Sequence, residues 1–340
     1  MIRPILSALA ALFLLDACAP MTQVAGRPDL AFSGPRLEDH DFVSFDGARL
    51  ALQTWTPADG EPWAVVIGLH GMNDYSNAFH LAAPYWAQDG IATLAYDQRG
   101  FGRSPGRGVW GGQALMSEDL RTIAALARQR YPHATIAVAG ESMGAAVAIA
   151  AFASDRPPAA DRLVLVSPAV WGWSSQPVAY RAALWLTAHV DGGLVMNPPR
   201  FLESHIRASD NIEELRRMGR DPQMIWGART DTLYGLVDLM QTAWREDGQT
   251  SIPALYLAGA HDQIIPLHSH FEAARHLTPR DRTALYPDGW HLLLVDHQAE
   301  LVWRDIEGYI RDPAAPLPSN TPPIAGAPAP ALTPNIQASR

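Results

Sequence analysis

Short apolar runs alternate with longer amphipathic stretches over most of the chain. Six runs of mostly apolar residues, typical of strands buried on both faces of a parallel sheet, cover residues 64–69, 91–96, 135–139, 163–166, 254–258 and 283–286. Two earlier runs, residues 41–45 and 49–55, alternate in polarity on either side of Asp46-Gly47, which is a hairpin signal. The pattern predicts an α/β fold with a mostly parallel, eight-stranded sheet between about residues 37 and 312.

Helical periodicity fills the intervals between the predicted strands. Residues 115–130 carry apolar side chains at a spacing close to 3.6 residues, for example at Leu120, Ile123 and Ala127. Residues 143–153 are small and apolar almost all round, which is typical of a helix packed in the interior. We therefore expect helices to flank the sheet on both faces.

Residues 170–250 interrupt this alternation. They contain no convincing strand and are rich in Trp, Leu, Ala, Arg and Pro. We interpret them as a helical cap that is inserted after the sixth predicted strand. The cap divides the core into a first part, residues 37–169, and a second part, residues 251–312.

The N-terminus has the pattern of an export signal. A short basic start is followed by an apolar run at residues 5–15, which is too short to span a bilayer comfortably. The run leads into Leu15-Asp16-Ala17-Cys18, and Cys18 is the only cysteine. Residues 1–18 thus resemble a bacterial lipoprotein signal, in which the cysteine is lipidated and becomes the new N-terminus. This implies an exported protein anchored to a membrane and facing the periplasm or the cell surface; the alternative is an ordinary cleaved signal.

Two further segments lie outside the predicted core. Residues 19–36 are interpreted as a linker between the signal and the first strand. Residues 313–340 are rich in Pro and Ala, with almost no charged or aromatic side chains. Such a segment buries too little apolar surface to offset its ordering entropy, so we predict a disordered tail.

Composition excludes several classes of function. The chain has a net charge of −9 and no cluster of Lys and Arg, so nucleic acid is not an expected partner. A glycine-rich loop at residues 97–106 lacks both the G-x-G-x-x-G pattern and a P-loop lysine, so we expect a structural loop pinned by an Asp/Arg pair. The histidines show no metal-ligand spacing, and we expect neither a metal nor an organic cofactor.

Residues 140–144, Gly-Glu-Ser-Met-Gly, match the G-x-S-x-G pattern. A predicted strand ends at Ala139 and a predicted helix starts at Met143, so Ser142 lies on a strand-to-helix turn. The pentapeptide alone is a weak signal, but this placement is the one that the motif requires. We predict that Ser142 is a nucleophile.

The loops after the last two predicted strands supply possible partners for this serine. A serine hydroxyl needs an imidazole to take its proton, and the imidazole needs a carboxylate to fix its tautomer. Asp262 follows one strand and His291 the next, and the carboxyl ends of parallel strands meet at one edge of a sheet. We therefore predict Asp262 as acid and His291 as base. His297 and His261 are the alternative bases, but His261 precedes the acid and His297 lies farther from the strand.

An oxyanion hole is predicted from residues 70–72, His-Gly-Met, just after the third predicted strand. Gly71 lets the backbone bend so that the amide of Met72 can point at the site. The amide of Met143, directly after the nucleophile, would be the second donor. His70 is expected to have a structural role.

Four motifs in this order resemble the monoacylglycerol lipase and lysophospholipase branch of the α/β-hydrolases, which is of the serine aminopeptidase S33 type. They occupy residues 70–72, 97–104, 140–144 and 259–266. The resemblance covers about residues 41–310. It implies an α/β-hydrolase fold and a carboxylester hydrolase for single-chain lipids or similar esters, with Ser142, Asp262 and His291 as triad. Glu141 stands where the family often has histidine, and Ala145 where a further glycine is common.

The cap bears on the substrate. Trp171, Trp173 and Trp185 lie in it, and we predict that they line a substrate pocket, although these side chains could instead form the cap's own core. An apolar cap favours an acyl or aromatic ester over a sugar or a charged peptide.

Two other functions stay open. The same triad could cleave the amide of an aminopeptidase substrate or a thioester, with Glu141 and Asp74 as the only nearby hints of a pocket for an amine. The fold could also serve a non-catalytic, lipid-anchored binding protein. A missing triad residue would favour that hypothesis, and none is missing.

Overall fold

The computed structural model describes residues 19–197 and 206–328. The predicted signal with Cys18 and the last part of the predicted tail lie outside the described residues. In the described part, no helix has both the length and the apolar character needed to cross a membrane.

A nine-stranded sheet forms the centre of the molecule. Its strands lie in the order β1-β2-β3-β5-β4-β6-β7-β10-β11. In this order, neighbouring strands pair antiparallel from β1 through β2 and β3 to β5. All the remaining neighbours, from β5 to β11, pair parallel. The strands are β1 (Arg36–Leu37), β2 (Asp41–Val43), β3 (Arg49–Trp55), β4 (Ala64–Leu69), β5 (Ile91–Tyr96), β6 (Thr135–Glu141), β7 (Arg162–Val166), β10 (Ala254–Gly259) and β11 (Arg282–Tyr286).

Helices cover both faces of this sheet. Alternate residues of β4 belong to two separate hydrophobic clusters, with Val65 and Ile67 in one and Ala64 and Val66 in the other, because successive side chains of a strand point to opposite faces. The helices are α1 (Ala82–Gln88), α2 (Gln113–Arg130), α3 (Met143–Phe152), α4 (Val178–Val190), α5 (Ile212–Arg220), α6 (Thr230–Glu246), α7 (Leu267–Ala274) and α8 (Ala299–Arg311). The predicted fold class, a mostly parallel sheet between helices, is confirmed.

The structure departs from the predicted elements in two places. The two-residue strand β1 adds a ninth strand at the antiparallel edge. The stretch interpreted as wholly helical contains α4, α5 and α6, but also two-residue strands β8 (Val195–Met196) and β9 (Ala228–Arg229), which pair antiparallel. Strands this short leave no periodic signal in a sequence.

The prediction of disorder from residue 313 onward is wrong for residues 313–328. Ile324 is buried, and its amide donates to the Oγ1 atom of Thr283. The carbonyl of Pro322 accepts from the amide of Leu285 on β11, at the edge of the sheet. The buried Ile324, the partly buried Leu317 and Ala327, and the free edge of β11 therefore hold a segment whose composition alone favours disorder.

The segment interpreted as a linker also packs on the core. The amide of Gln23 donates to the carbonyl of Trp110 at 2.8 Å, and its side-chain amide donates to the carbonyl of Val109 at 2.9 Å. Gly26 donates to a carboxylate oxygen of Asp46. Residues 23–26 thus pack on the segment that follows the glycine-rich loop and on the turn between β2 and β3.

Candidate active site

Ser142 lies on the sharp turn between β6 and α3. Its backbone adopts φ 53° and ψ −113°, a strained conformation for a residue with a side chain. The flanking glycines make this turn possible, because a Cβ at Gly140 would lie 2.5 Å from the amide nitrogen of Ala145. At Gly144 it would lie 2.3 Å from the carbonyl oxygen of Leu69. The turn holds the serine hydroxyl at the carboxyl edge of the sheet.

The structure brings Ser142, His291 and Asp262 together from three separate loops. The Oγ atom of Ser142 lies 2.9 Å from Nε2 of His291, and Nδ1 of the same ring lies 2.8 Å from Oδ2 of Asp262. All three residues are buried, with at most 8% of their surface exposed. A carboxylate can only accept, so Nδ1 carries the proton and Nε2 is free to accept from the serine hydroxyl.

Asp262 is held as an anion. Burial alone would raise its pKa, but the facing imidazoles of His291 and His270 hold the pKa well below its ordinary value. Its second oxygen, Oδ1, accepts from the amides of Ile264 and Ile265 at 2.8 and 2.9 Å. The carboxylate is thus fixed in orientation and charge beside the imidazole.

The two alternative bases lie away from the serine. His261 is exposed and stacks on Trp290, with ring centroids 5.5 Å apart. His297 is exposed, and its amide donates to Asp210. Of the three candidate histidines, only His291 contacts Ser142.

The predicted oxyanion donors are the amides of Met72 and Met143, which belong to the peptides that follow Gly71 and Ser142. The carbonyl of Gly71 accepts from Nδ1 of His70 at 2.7 Å, and because a trans peptide holds its C=O and N–H in opposite directions, the amide of Met72 points away from that ring. The carbonyl of Ser142 accepts from the amides of Ala146 and Ala169. The amide of Met143 lies on the opposite side of the same trans peptide, so it points away from these two residues. Neither amide has a hydrogen-bond acceptor within residues 19–197 and 206–328.

His70 holds the first of these loops in place. It is fully buried, and burial lowers its pKa to about 4, so the ring is neutral in ordinary buffers. Its Nε2 atom accepts from the amide of Gln98, whose side chain donates back to the carbonyl of His70. The ring therefore ties the loop after β4 to the loop after β5, as expected for a structural histidine.

Three buried acids surround the nucleophile turn. Burial raises the pKa of Asp74 to about 7 and that of Asp296 to about 6, and it raises the pKa of Glu141 well above its ordinary value. Asp296 accepts from the amide of Trp290, next to His291, and so shapes the loop of the base. No group of three or more His, Cys, Asp or Glu side chains in the described part of the chain is arranged to hold a metal ion.

The glycine-rich loop after β5 is pinned by carboxylates. Asp97 accepts from the amides of Ser76 and Arg103. Arg99 is buried and forms a double fork, donating to both oxygens of Asp46 at 2.7 to 2.9 Å and to both oxygens of Asp119 at 2.7 to 2.8 Å. The Asp/Arg pair that the sequence predicted in this loop is formed by Asp97 and Arg103, with 3.3 Å between Oδ2 and Nε. Asp46 and Asp119 lie too far along the chain from Arg99 for a local pattern to reveal them.

The cap tryptophans have different environments. Trp171 is partly buried and packs against the main core cluster, whereas Trp173 and Trp185 line an open recess of about 500 Å³. Tyr234 packs against Trp173 with the two rings tilted by 55°, and Asp238 accepts from the indole N–H of Trp173. The other lining residues are Val178, Arg181 and Ala182. The recess does not include Ser142, so the structure does not bring these tryptophans to the serine.

Comparisons with known proteins place the chain in a family. A family profile described as serine aminopeptidase, S33 matches residues 60–298. A monoacylglycerol lipase of Mycolicibacterium smegmatis is 26% identical over 80% of this chain and 96% of its own length. A monoglyceride lipase of Rattus norvegicus is 24% identical over 74% of this chain and 82% of its own.

Solved structures show the same fold. The crystal structure of a monoacylglycerol lipase from Paleococcus ferrophilus has a TM-score of 0.63 at 20% identity and covers 77% of this chain and 98% of its own. A soluble variant of monoglyceride lipase from Saccharomyces cerevisiae, in complex with a substrate analogue, has a TM-score of 0.65 at 16% identity, with coverage of 84% and 98%. The chain therefore belongs to the serine aminopeptidase S33 family of α/β-hydrolases and is a serine hydrolase.

Proposed function

We propose that this serine hydrolase cleaves carboxylic esters of single-chain lipids, such as monoacylglycerols and lysophospholipids, through an acyl-enzyme on Ser142. The observation that carries the proposal is the unbroken hydrogen-bond chain from Ser142 through His291 to Asp262. The monoacylglycerol lipases among the relatives support the substrate class. The exposed apolar side chains of the cap support it as well.

In the first half of the reaction, Oγ of Ser142 attacks the ester carbonyl while Nε2 of His291 takes the hydroxyl proton. The oxygen of the tetrahedral intermediate becomes an anion, which the amides of Met72 and Met143 stabilise. The carbonyl then reforms and the ester bond to the alcohol breaks. His291 gives its proton to the departing alcohol, and Ser142 remains acylated.

In the second half, water replaces the alcohol. His291 takes a proton from the water as it attacks the acyl-enzyme, and the same two amides donate hydrogen bonds to the new oxyanion. When the intermediate collapses, the proton returns to Oγ of Ser142 and the fatty acid leaves. Throughout, the charge of Asp262 stabilises the imidazolium form of His291.

The buried acids argue against an aminopeptidase. Recognition of a substrate amine requires a firm negative charge, and the acids that the sequence offered for this role, Glu141 and Asp74, are both buried. Burial raises the pKa of both, that of Asp74 to about 7. A neutral carboxyl group binds an ammonium group poorly, so these residues favour an ester over an amine-bearing peptide.

We further propose that Cys18 carries a lipid anchor that holds the enzyme on a membrane surface. The contacts made by Met21, three residues after Cys18, support this proposal. Met21 lies against Arg229 of β9, with 3.9 Å between its sulfur and the guanidinium, and β9 pairs with β8. Val195 and Met196 of β8 are about half exposed. Three residues span at most about 10 Å, so an anchor at Cys18 would keep this apolar part of the cap near the lipid.

A panel of esters tests the catalytic proposal. We expect wild type to hydrolyse monoacylglycerols and p-nitrophenyl esters of graded acyl length, and Ser142→Ala to lose at least about 10³-fold in kcat at unchanged melting temperature. Aminoacyl arylamides in the same panel test the peptidase alternative. Undiminished ester hydrolysis by Ser142→Ala, or arylamides cleaved faster than every ester, would remove the proposal.

Cell fractionation of the full chain tests the anchor. Cys18→Ser should move the enzyme from the membrane fraction to the soluble fraction, while Ser142→Ala, the matched control, should stay with the membrane. An unchanged distribution of Cys18→Ser would refute anchoring without touching the catalytic proposal.

A further inference from the structure

His270 is fully buried on α7 and hydrogen bonded at both ring nitrogens. Its Nε2 atom lies 3.2 Å from Oδ2 of Asp262, and its Nδ1 atom lies 2.9 Å from the hydroxyl oxygen of Tyr256. It belongs to none of the sequence motifs. The same carboxylate oxygen, Oδ2, also receives the N–H of His291 at 2.8 Å. Two imidazoles therefore share one oxygen of the acid.

The chemistry of the partners fixes the tautomer of His270. An ionised carboxylate only accepts, so Nε2 of His270 carries a proton and donates it to Asp262. Burial raises the pKa of Tyr256 well above its ordinary value, so its hydroxyl keeps a proton that the lone pair of Nδ1 can accept. The chain of donors thus runs from Tyr256 on β10, through His270, to the acid.

In this arrangement both oxygens of the Asp262 carboxylate accept hydrogen bonds. Oδ1 receives the amides of Ile264 and Ile265, and Oδ2 receives His291 and His270. Donors on both oxygens fix the rotation of the carboxylate about its Cβ–Cγ bond. Loss of His270 would leave Oδ2 with the base as its only donor in a buried site.

We propose that His270, oriented by the hydroxyl of Tyr256, is a positioning residue that fixes Oδ2 of Asp262 for His291 and shares that oxygen with it. The inference rests on the proposed function. The titratable groups that face His270 are Asp262 and Tyr256, with His291 acting through Asp262. Asp247, buried at the end of α6, acts on Tyr256. A second donor stabilises the carboxylate on its own, so less of its negative charge is available to the imidazolium.

The pH profile of kcat/KM for a soluble ester tests the proposal. His270→Leu keeps an apolar group of similar size but no donor, so we expect kcat to fall about tenfold and the acid limb to move up by about 0.5 to 1 pH unit. His270→Gln retains an amide donor and should keep the acid limb close to that of wild type. His268→Leu, at an exposed site on the same helix, should leave both quantities unchanged.

A purely structural histidine would give a different result. His270→Leu would then lose activity equally at every pH, with an unmoved acid limb and no rescue by His270→Gln, and that outcome would overturn the proposal. ¹⁵N NMR of wild type gives a second test that does not depend on whether the variants fold. The ring of His270 should be protonated at Nε2 and bare at Nδ1, and the opposite tautomer would contradict the proposal.

The proposed function can fail separately. If Ser142→Ala hydrolyses the ester as wild type does, the catalytic assignment itself is wrong. If hydrolysis depends on Ser142 but the acid limb of His270→Leu does not move, only the role of His270 is wrong.

Discussion

The core site and the cap differ in how completely their polar groups are hydrogen bonded and their apolar groups are buried. In the core, both oxygens of Asp262 and both nitrogens of His291 have partners, and the three reacting side chains are buried. In the cap, Val178, Trp185 and Val190 are each more than half exposed, and the aromatic recess opens to the surface. The contacts in the core fix one geometry, whereas the cap exposes apolar surface that a ligand or a lipid surface could cover.

This difference separates two properties of the enzyme. Chemistry depends on fixed distances among groups from three loops, so changes in the core should lower kcat. Under the proposed function, the cap offers apolar contacts to the acyl chain, so changes there should alter KM and the dependence on acyl length. A substitution in one region should therefore leave the property that depends on the other region unchanged.

The largest effect is expected from a single methyl group at the nucleophile turn. In Gly144→Ala the new Cβ would lie 2.3 Å from the carbonyl oxygen of Leu69, so we expect a loss of about 3 kcal/mol in the free energy of unfolding, together with most of the activity. Urea denaturation measures the first and ester hydrolysis the second. Gly219→Ala on cap helix α5 meets nothing within 4 Å and should stabilise the protein by about 0.5 kcal/mol. Equal effects at the two glycines would contradict the comparison.

The second effect concerns the oxyanion donors. His70→Leu removes the ring that holds the Gly71 carbonyl, so the Met72 amide loses its fixed direction and kcat should fall about 100-fold with little change in KM. Steady-state kinetics at neutral pH measures this, since the ring is already neutral there. A rise in KM at unchanged kcat would show that the loop binds substrate instead of stabilising the transition state.

A third effect is on stability and its pH dependence. Burial raises the pKa of Asp74 to about 7 in the folded protein, so the folded state keeps a proton that the unfolded state releases near its ordinary pKa. The contribution of Asp74 is therefore complete below about pH 4 and is lost as the pH rises to about 7. Asp74→Asn stays neutral, so its melting temperature relative to wild type should rise by about 3 °C across this range. Glu213→Gln, at an exposed cap position, should show no such trend.

The smallest effect is expected in the cap recess. Trp185→Ala should raise KM about threefold for long-chain esters and leave kcat for short esters unchanged, because the indole lines the recess but lies away from Ser142. Val190→Ala, also exposed on α4 but outside the recess lining, is the matched control. A loss of kcat for short esters in Trp185→Ala would mean that the recess and the serine are coupled.

The features that could be predicted from the sequence are those that depend on residues close together in the chain. Continuous apolar runs predicted the buried strands, and each of Ser142, Asp262 and His291 stands at a strand end that such a run marks. The fold and the meeting of these three loops follow from that placement, since parallel strands put their carboxyl ends at one edge.

The rest depends on contacts between distant residues or on single side chains. Arg99 binds Asp46 and Asp119, which lie 53 and 20 residues away in the chain, and neither separation produces a pattern in the sequence. His270 shows only as one more histidine on a short helix, and its meaning appears once Tyr256 and Asp262 are seen on either side of it. The packing of residues 313–328 against β11 goes against their composition and depends on Ile324.

The central claim is that Ser142 is the activated nucleophile, and covalent labelling tests it most directly. A fluorophosphonate probe, followed by peptide mapping by mass spectrometry, should modify one residue, Ser142, with one probe per chain. Labelling should be lost in Ser142→Ala and slowed at least about 10³-fold in His291→Ala. Modification of a different residue, or labelling of Ser142→Ala at the wild-type rate, would contradict the account.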